Sequence, residues 1–147
     1  MKKYVDFYLD KFGSNDYYDI AMENGDCKKV EGLETSIIVS VLSNQRASET
    51  EIQESYYRSG WWGNLFSDYE NGSKIWLLSQ SSINNNTKNL LNEYINKCLN
   101  WLIIDGYLDK LDINVIQVDN NLVFTIKIIR YEKEDIRQFN LLEATIG

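Results

Sequence analysis

Histidine is absent from this 147-residue chain, and so is proline. Without histidine there is no Ser-His-Asp or Cys-His nucleophile pairing and no imidazole to hold a metal. Cysteine occurs twice, as Cys27 and Cys98. That wide separation has no metal-ligand spacing, so two reduced structural thiols are expected rather than a disulfide. No apolar run approaches the roughly 20 residues of a membrane span. The opening stretch "MKKYVDFYLDKF" has lysines but no apolar core of the kind a secretory leader needs. Positive charge is also short: 15 basic against 22 acidic residues give a net charge of −7 and a pI near 4.6. Nucleic acid and anionic membrane surfaces need a basic face, so neither is an expected partner.

What remains is ordinary globular material, 44% hydrophobic and 25% charged, which predicts a single domain over 1–147. Residues 1–16 and 132–147 read as peripheral segments. Asn24-Gly25 favours the positive φ angles of a type I′ turn and predicts a small hairpin within Tyr17–Val30. Leu33, Ile37, Ile38, Val41 and Leu42 recur at helical spacing. Residues 44–72 are polar and aperiodic apart from an aromatic cluster, and a loop of that length is usually functional. Ile75–Leu78 is a short apolar piece with Ser73 as a candidate N-cap. A second helix is predicted through Leu90, Leu91, Tyr94, Ile95, Cys98, Leu99 and Leu102, capped by Thr87 and ended by Gly106. From Asp109 the period changes to two, predicting a long antiparallel hairpin whose second strand is apolar on both faces. The expected fold class is α+β: two principal helices packed on a small antiparallel sheet, with an N-terminal hairpin and a long C-terminal one.

Three features could carry chemistry or recognition. In "YYRSGWWGN" (56–64), Trp61 and Trp62 lie beside Arg58 and Tyr56. Each indole could bury about 150–250 Å², so at least one is expected to plug the core. The exposed remainder, with Arg58, suits a partner, since Trp, Tyr and Arg dominate binding hot spots. The same tryptophans could instead stack on a sugar, with Glu49, Glu51 or Glu54 as acids of a lysozyme-like glycosidase, or with Tyr56 as the platform of a carbohydrate-binding module. Yet no acid there has evident apolar surroundings to raise its pKa. The Asn84–Asn86 and Asp119–Asn121 clusters fit turns rather than calcium loops, and no cofactor-binding pattern is present. Third, the hairpin Leu111–Tyr131 could accept a further strand from another chain, with Ile113, Val115, Phe124, Ile126, Ile128 and Arg130 as partner-binding candidates.

The order of landmarks is distinctive: "DIAMENGD", a first helix ending "VLSNQRA", then "RSGWWGN", "GSKIWLL", "CLNWLIIDGYLDKLDINV" and a strand ending "IIRY". Together, over roughly residues 17–131, they resemble the tail protein family typified by the gene-forty-six product of phage Mu. They are also similar to the sheath-initiator family of baseplate wedge proteins, once called lysozyme-like. The resemblance implies a non-enzymatic virion component, assembled in the bacterial cytoplasm into the baseplate of a contractile tail or a phage-derived injection particle. It implies contacts with wedge proteins, the sheath protein and the tail tube or hub. Sheath-initiator proteins often carry a Glu-Pro-Arg step after the second helix. Here the stretch is Leu102–Gly106, "LIIDG", with no proline, which weakens the transfer of the wedge contact made by that motif but not of the fold.

Overall fold

Asn24 and Gly25 both take positive φ, 52° and 83°, as a type I′ turn requires. The hairpin they close is shorter than expected. The computed structural model describes residues 5–12, 17–52, 58–66, 68, 70–79 and 81–140, and the chain divides into two units, Met1–Val39 and Ser40–Gly147.

Among the described residues of the first unit, six short strands form three antiparallel pairs: β1 (Val5–Phe7) with β6 (Lys29–Glu31), β2 (Leu9–Phe12) with β3 (Tyr17–Ile20), and β4 (Met22–Glu23) with β5 (Asp26–Cys27). Tyr8, Ala21 and Lys28 close the junction in a cycle. Tyr8 N–H donates to Lys28 O (2.8 Å), Lys28 N–H to Ala21 O (2.8 Å), and Ala21 N–H to Tyr8 O (2.9 Å). The Lys28 ammonium also lies 4.6 Å over the Tyr8 ring. The alternation through Tyr18, Ile20 and Met22 suggests one strand, but Ala21 spends its backbone groups on this junction and splits it in two. Tyr17–Ile20 therefore pairs with a segment that had read as peripheral.

Helix α1 (Glu34–Leu42) follows Gly32, with Glu34 in the first turn where it complements the helix dipole. Leu33, Ile37 and Ile38 are buried, as their spacing predicts. Thr35 Oγ1 donates to Phe7 O, and Ser36 Oγ donates to Asp6 Oδ2 at 2.7 Å, tying the helix start to β1.

In the second unit, α2 (Asn85–Ile104) buries Thr87, Leu91, Ile95, Leu99 and Leu102. Asn84, not Thr87, is the N-cap. The Asn84 carboxamide oxygen accepts from Thr87 N–H at 2.9 Å, while the Thr87 hydroxyl donates back to Ser82 O at 2.6 Å. Thr87 thus occupies the third helical position, whose amide the cap receives. Gly106 ends the helix as expected. At φ 73° it donates to Ile103 O (3.0 Å), and Tyr107 N–H donates to Leu102 O (2.8 Å), a complete Schellman closure.

The C-terminal hairpin is a three-stranded antiparallel meander, β7 (Lys110–Val118), β8 (Asn121–Arg130) and β9 (Lys133–Asn140), in the order β7-β8-β9. Ile113 faces Ile126 and Val115 faces Phe124, and the turn is Asp119-Asn120 rather than Asp119–Asn121, since Asn121 already pairs with Val118 in β8. The third strand was not expected. Its turn has Tyr131 and Glu132 at φ 51° and 63°, a two-residue conformation normally signalled by Asn-Gly. No such signal stands at this position; instead Tyr131 N–H donates to Asp109 Oδ2 at 2.6 Å, and Lys127 pairs with Glu134 at 2.9 Å. The core lies between the sheet and α2, where Leu122, Phe124 and Ile126 join Leu91, Ile95, Leu99 and Leu102 as fully buried side chains. Among the described residues no helix is long and apolar enough to cross a membrane.

Candidate functional site

The aromatic turn is held by backbone ties that explain its glycines. Ala47 N–H donates to Arg58 O at 2.8 Å, and Arg58 Nε returns a bond to Ala47 O at 2.8 Å. Gly60 has φ 111°, and a Cβ there would lie 2.8 Å from Arg46 Cβ. Below it, Gly72 (φ 99°) passes so close to the end of α1 that a Cβ would meet Ser43 O at 2.6 Å. Ser73 Oγ donates to Val41 O (2.7 Å) and Trp76 Nε1 to Gln45 O (2.9 Å). Ser73 thus anchors the loop, while Lys74 occupies the cap position of the 3-10 turn Ile75–Leu78 without a side-chain cap bond. Asn64 completes the frame, its carboxamide bonding both ways to the backbone of Asn71.

On this frame the 3-10 turn Trp62–Phe66 displays its aromatics instead of burying them. Trp62 is 71% exposed and Phe66 83%, with Leu65 alongside and Trp61 about half-exposed. The two indoles stand 5.7 Å apart at 44°, and Trp62 meets Phe66 edge-on at 6.2 Å. The expectation that one indole plugs the core is therefore wrong. Trp61 folds over Gly63, where a Cβ would sit 2.1 Å from its ring, so the small buried partner lies inside and the large ring outside. Leu65 and Phe66 were missed as members of the patch. The signal was "NLF" directly after the glycine, continuing the apolar display. Tyr56 and Tyr57 lie outside the described residues.

The strand candidates fall in one ladder. Phe124, Ile126 and Ile128 are buried in the core, while Ile113 and Val115 are half-buried on the same face. Arg130 places its guanidinium 5.3 Å from the Tyr131 ring centroid. On the opposite face, Ile116, Val118 and Ile136 remain exposed. Among the described residues, β7 and β9 each pair on one side only.

The acids near the aromatic turn are tied down. Glu49, 86% exposed, pairs with Arg58 at 3.3 Å. Glu51 receives Lys74 Nζ at 2.9 Å on both oxygens and also the Ser48 amide and hydroxyl at 2.7 and 2.8 Å. The Lys74 and Ser48 hydrogen bonds lower its pKa to about 2, the opposite of what a general acid needs. Glu54 lies outside the described residues. Cys27 and Cys98 are free thiols. Although Cys98 is only half-buried as a residue, burial of its sulfur pushes its pKa up to about 12, which leaves it unreactive.

A model of the family described as phage protein GP46 matches residues 33–135. The baseplate protein gp46 of Escherichia phage Mu is 29% identical over 108 residues, which cover 72% of this chain and 74% of that protein. The family match starts one residue before α1 and reaches into β9, so it takes in the framed aromatic turn and the sheet, while β1–β6 lie ahead of it.

Proposed function

The chain belongs to the phage protein GP46 family, and from that membership we propose a structural role in the baseplate of a contractile phage tail or a phage-derived injection particle. In this reading it binds wedge proteins through the Arg58–Phe66 turn and starts sheath assembly by accepting a strand along the sheet. The tail tube or hub is a further neighbour.

The observation that carries the reading is the side of β7 that has no partner strand among the described residues. Unpaired strand edges recruit other chains, and proteins that avoid this place charges on them. β9 follows the protective pattern, with Lys133, Glu134, Asp135 and Arg137, whereas β7 confines its charges to Lys110 and Asp112 at its start and has none over Ile113–Val118. The favoured acceptor edge is therefore β7. Phe124, Ile126 and Ile128 contribute from beneath, fixing the strand's register by packing, while the backbone makes the contact. The aromatic turn supplies the second surface: a rigidly framed cluster of Trp61, Trp62, Leu65 and Phe66 resembles a hot spot more than a loop in search of a fold.

The test is assembly of tails from co-expressed tail genes. Ile116→Lys adds a charge to the open strand on its exposed face. Tails should then retain the protein in their baseplates but show at least about tenfold fewer sheathed particles, consistent with the cost of a blocked edge. Sheaths of normal yield and length would overturn strand addition.

A further inference from the structure

Gly72–Lys74, the Gln45–Glu51 loop and one face of α2 enclose a cavity of about 280 Å³, walled by Gln45, Glu51, Glu70, Lys74, Tyr94 and Lys97. Its charges can be followed one at a time. Lys74 is neutralised by Glu51 at 2.9 Å, and Lys97 by Glu93 at 2.6 Å, one helical turn back. Glu70 accepts a hydrogen bond from Gln45 Nε2, a neutral donor. Among the described residues no cation stands within ion-pairing distance of Glu70. One negative charge is left over at the mouth of a partly enclosed cavity. The Tyr94 phenol senses the same field: its pKa is raised first by burial and next by the Glu51 charge.

From this arrangement we infer that the cavity is a socket for an arginine side chain of a partner polypeptide. The volume admits one long side chain but not a folded element. The leftover carboxylate calls for a cation, and an anion would meet Glu51 and Glu70 with both lysines already taken. Arginine fits better than lysine because its weakly hydrated planar guanidinium can pair with a carboxylate and lie along the Tyr94 ring at once. The chain's net charge of −7 draws basic segments toward it from a distance. This names a chemistry for one partner contact and rests on the baseplate reading only for which protein supplies the arginine.

The test is a titration of the intact chain with N-acetyl-arginine amide, followed by NMR on the Tyr94 ring. N-acetyl-citrulline amide, which keeps the shape but loses the charge, and N-acetyl-lysine amide serve as controls. Saturable low-millimolar binding is expected for arginine, none for citrulline, and weaker binding for lysine. Glu70→Gln, at an exposed position where folding should survive, is expected to weaken arginine binding at least about tenfold, or ~1.4 kcal/mol. Non-saturating shifts, equal response to citrulline, lysine binding as tight as arginine, or an unaffected Glu70→Gln protein would each overturn the socket. The titration needs no tail particle, so its failure is separable from failure of the assembly assay.

Discussion

Strand β8 and the turn from Arg58 to Phe66 are both dense in large apolar side chains, yet the molecule treats them in opposite ways. In β8, Leu122, Phe124 and Ile126 are fully buried, because strand geometry sends alternate residues to one face and α2 covers that face. In the turn, Trp61, Trp62, Leu65 and Phe66 stay exposed, and the buried residue is Gly63. Periodicity separates the two cases. An apolar residue at a regular interval has a helix or strand to carry it inward. An apolar cluster inside a framed 3-10 turn has nowhere to insert, since its own backbone ties occupy the inner side. Density alone therefore marks a surface built for recognition as readily as a core.

Substitutions should separate the two regions sharply. Phe124→Ala leaves a cavity at the centre of the sheet–helix layer and should cost about 3–5 kcal/mol, lowering the melting temperature by roughly 10 °C. A loss below about 1 kcal/mol in urea denaturation would mean β8 is not the anchor described here. Gly72→Ala attacks the frame between the regions. With φ 99° and Ser43 O at 2.6 Å from the new Cβ, it should cost about 1–3 kcal/mol. Near-neutral behaviour would show that the loop relaxes away from α1.

Glu51 sharpens the comparison through pH. Its folded-state pKa is lowered from 4.5 to about 2, so its contribution is fully present above pH 4.5 and is lost as pH falls toward 2. Because solvent screens the pair, Glu51→Gln should cost about 1 kcal/mol or less at neutral pH, and the wild-type advantage should vanish in stability curves measured near pH 2. A difference that persists there would assign the effect to packing. The smallest stability change is expected for Trp62→Ala, within about 0.5 kcal/mol. Incorporation into baseplates should nonetheless fall by a factor typical of a hot-spot residue, about thirtyfold or more. An unfolded Trp62→Ala protein would return that indole to the core.

Much of the helical framework was legible beforehand. The α2 stripe through Leu91, Ile95, Leu99 and Leu102, the Gly106 stop and the Asn24-Gly25 turn depend on local chemistry. Strand β9 was not, because its turn uses Tyr131-Glu132 and takes support from Asp109, 22 residues earlier. At the candidate site, composition marked Arg58, Trp61 and Trp62 as notable but could not say which way they face. The cavity beside Glu70 left no linear trace, since its walls come from residues 45 to 98.

By itself, the sequence determined what period and turn chemistry can specify: two helices, the β7–β8 hairpin, an acidic chain without histidine chemistry, and the ordered landmarks of its family. Tertiary structure alone decided that the indoles face outward, that β8 is central, and that among the described residues Glu70 keeps a charge no lysine answers. Those outcomes depend on which distant backbone comes within a few ångströms. Spacing along the chain does not contain that information.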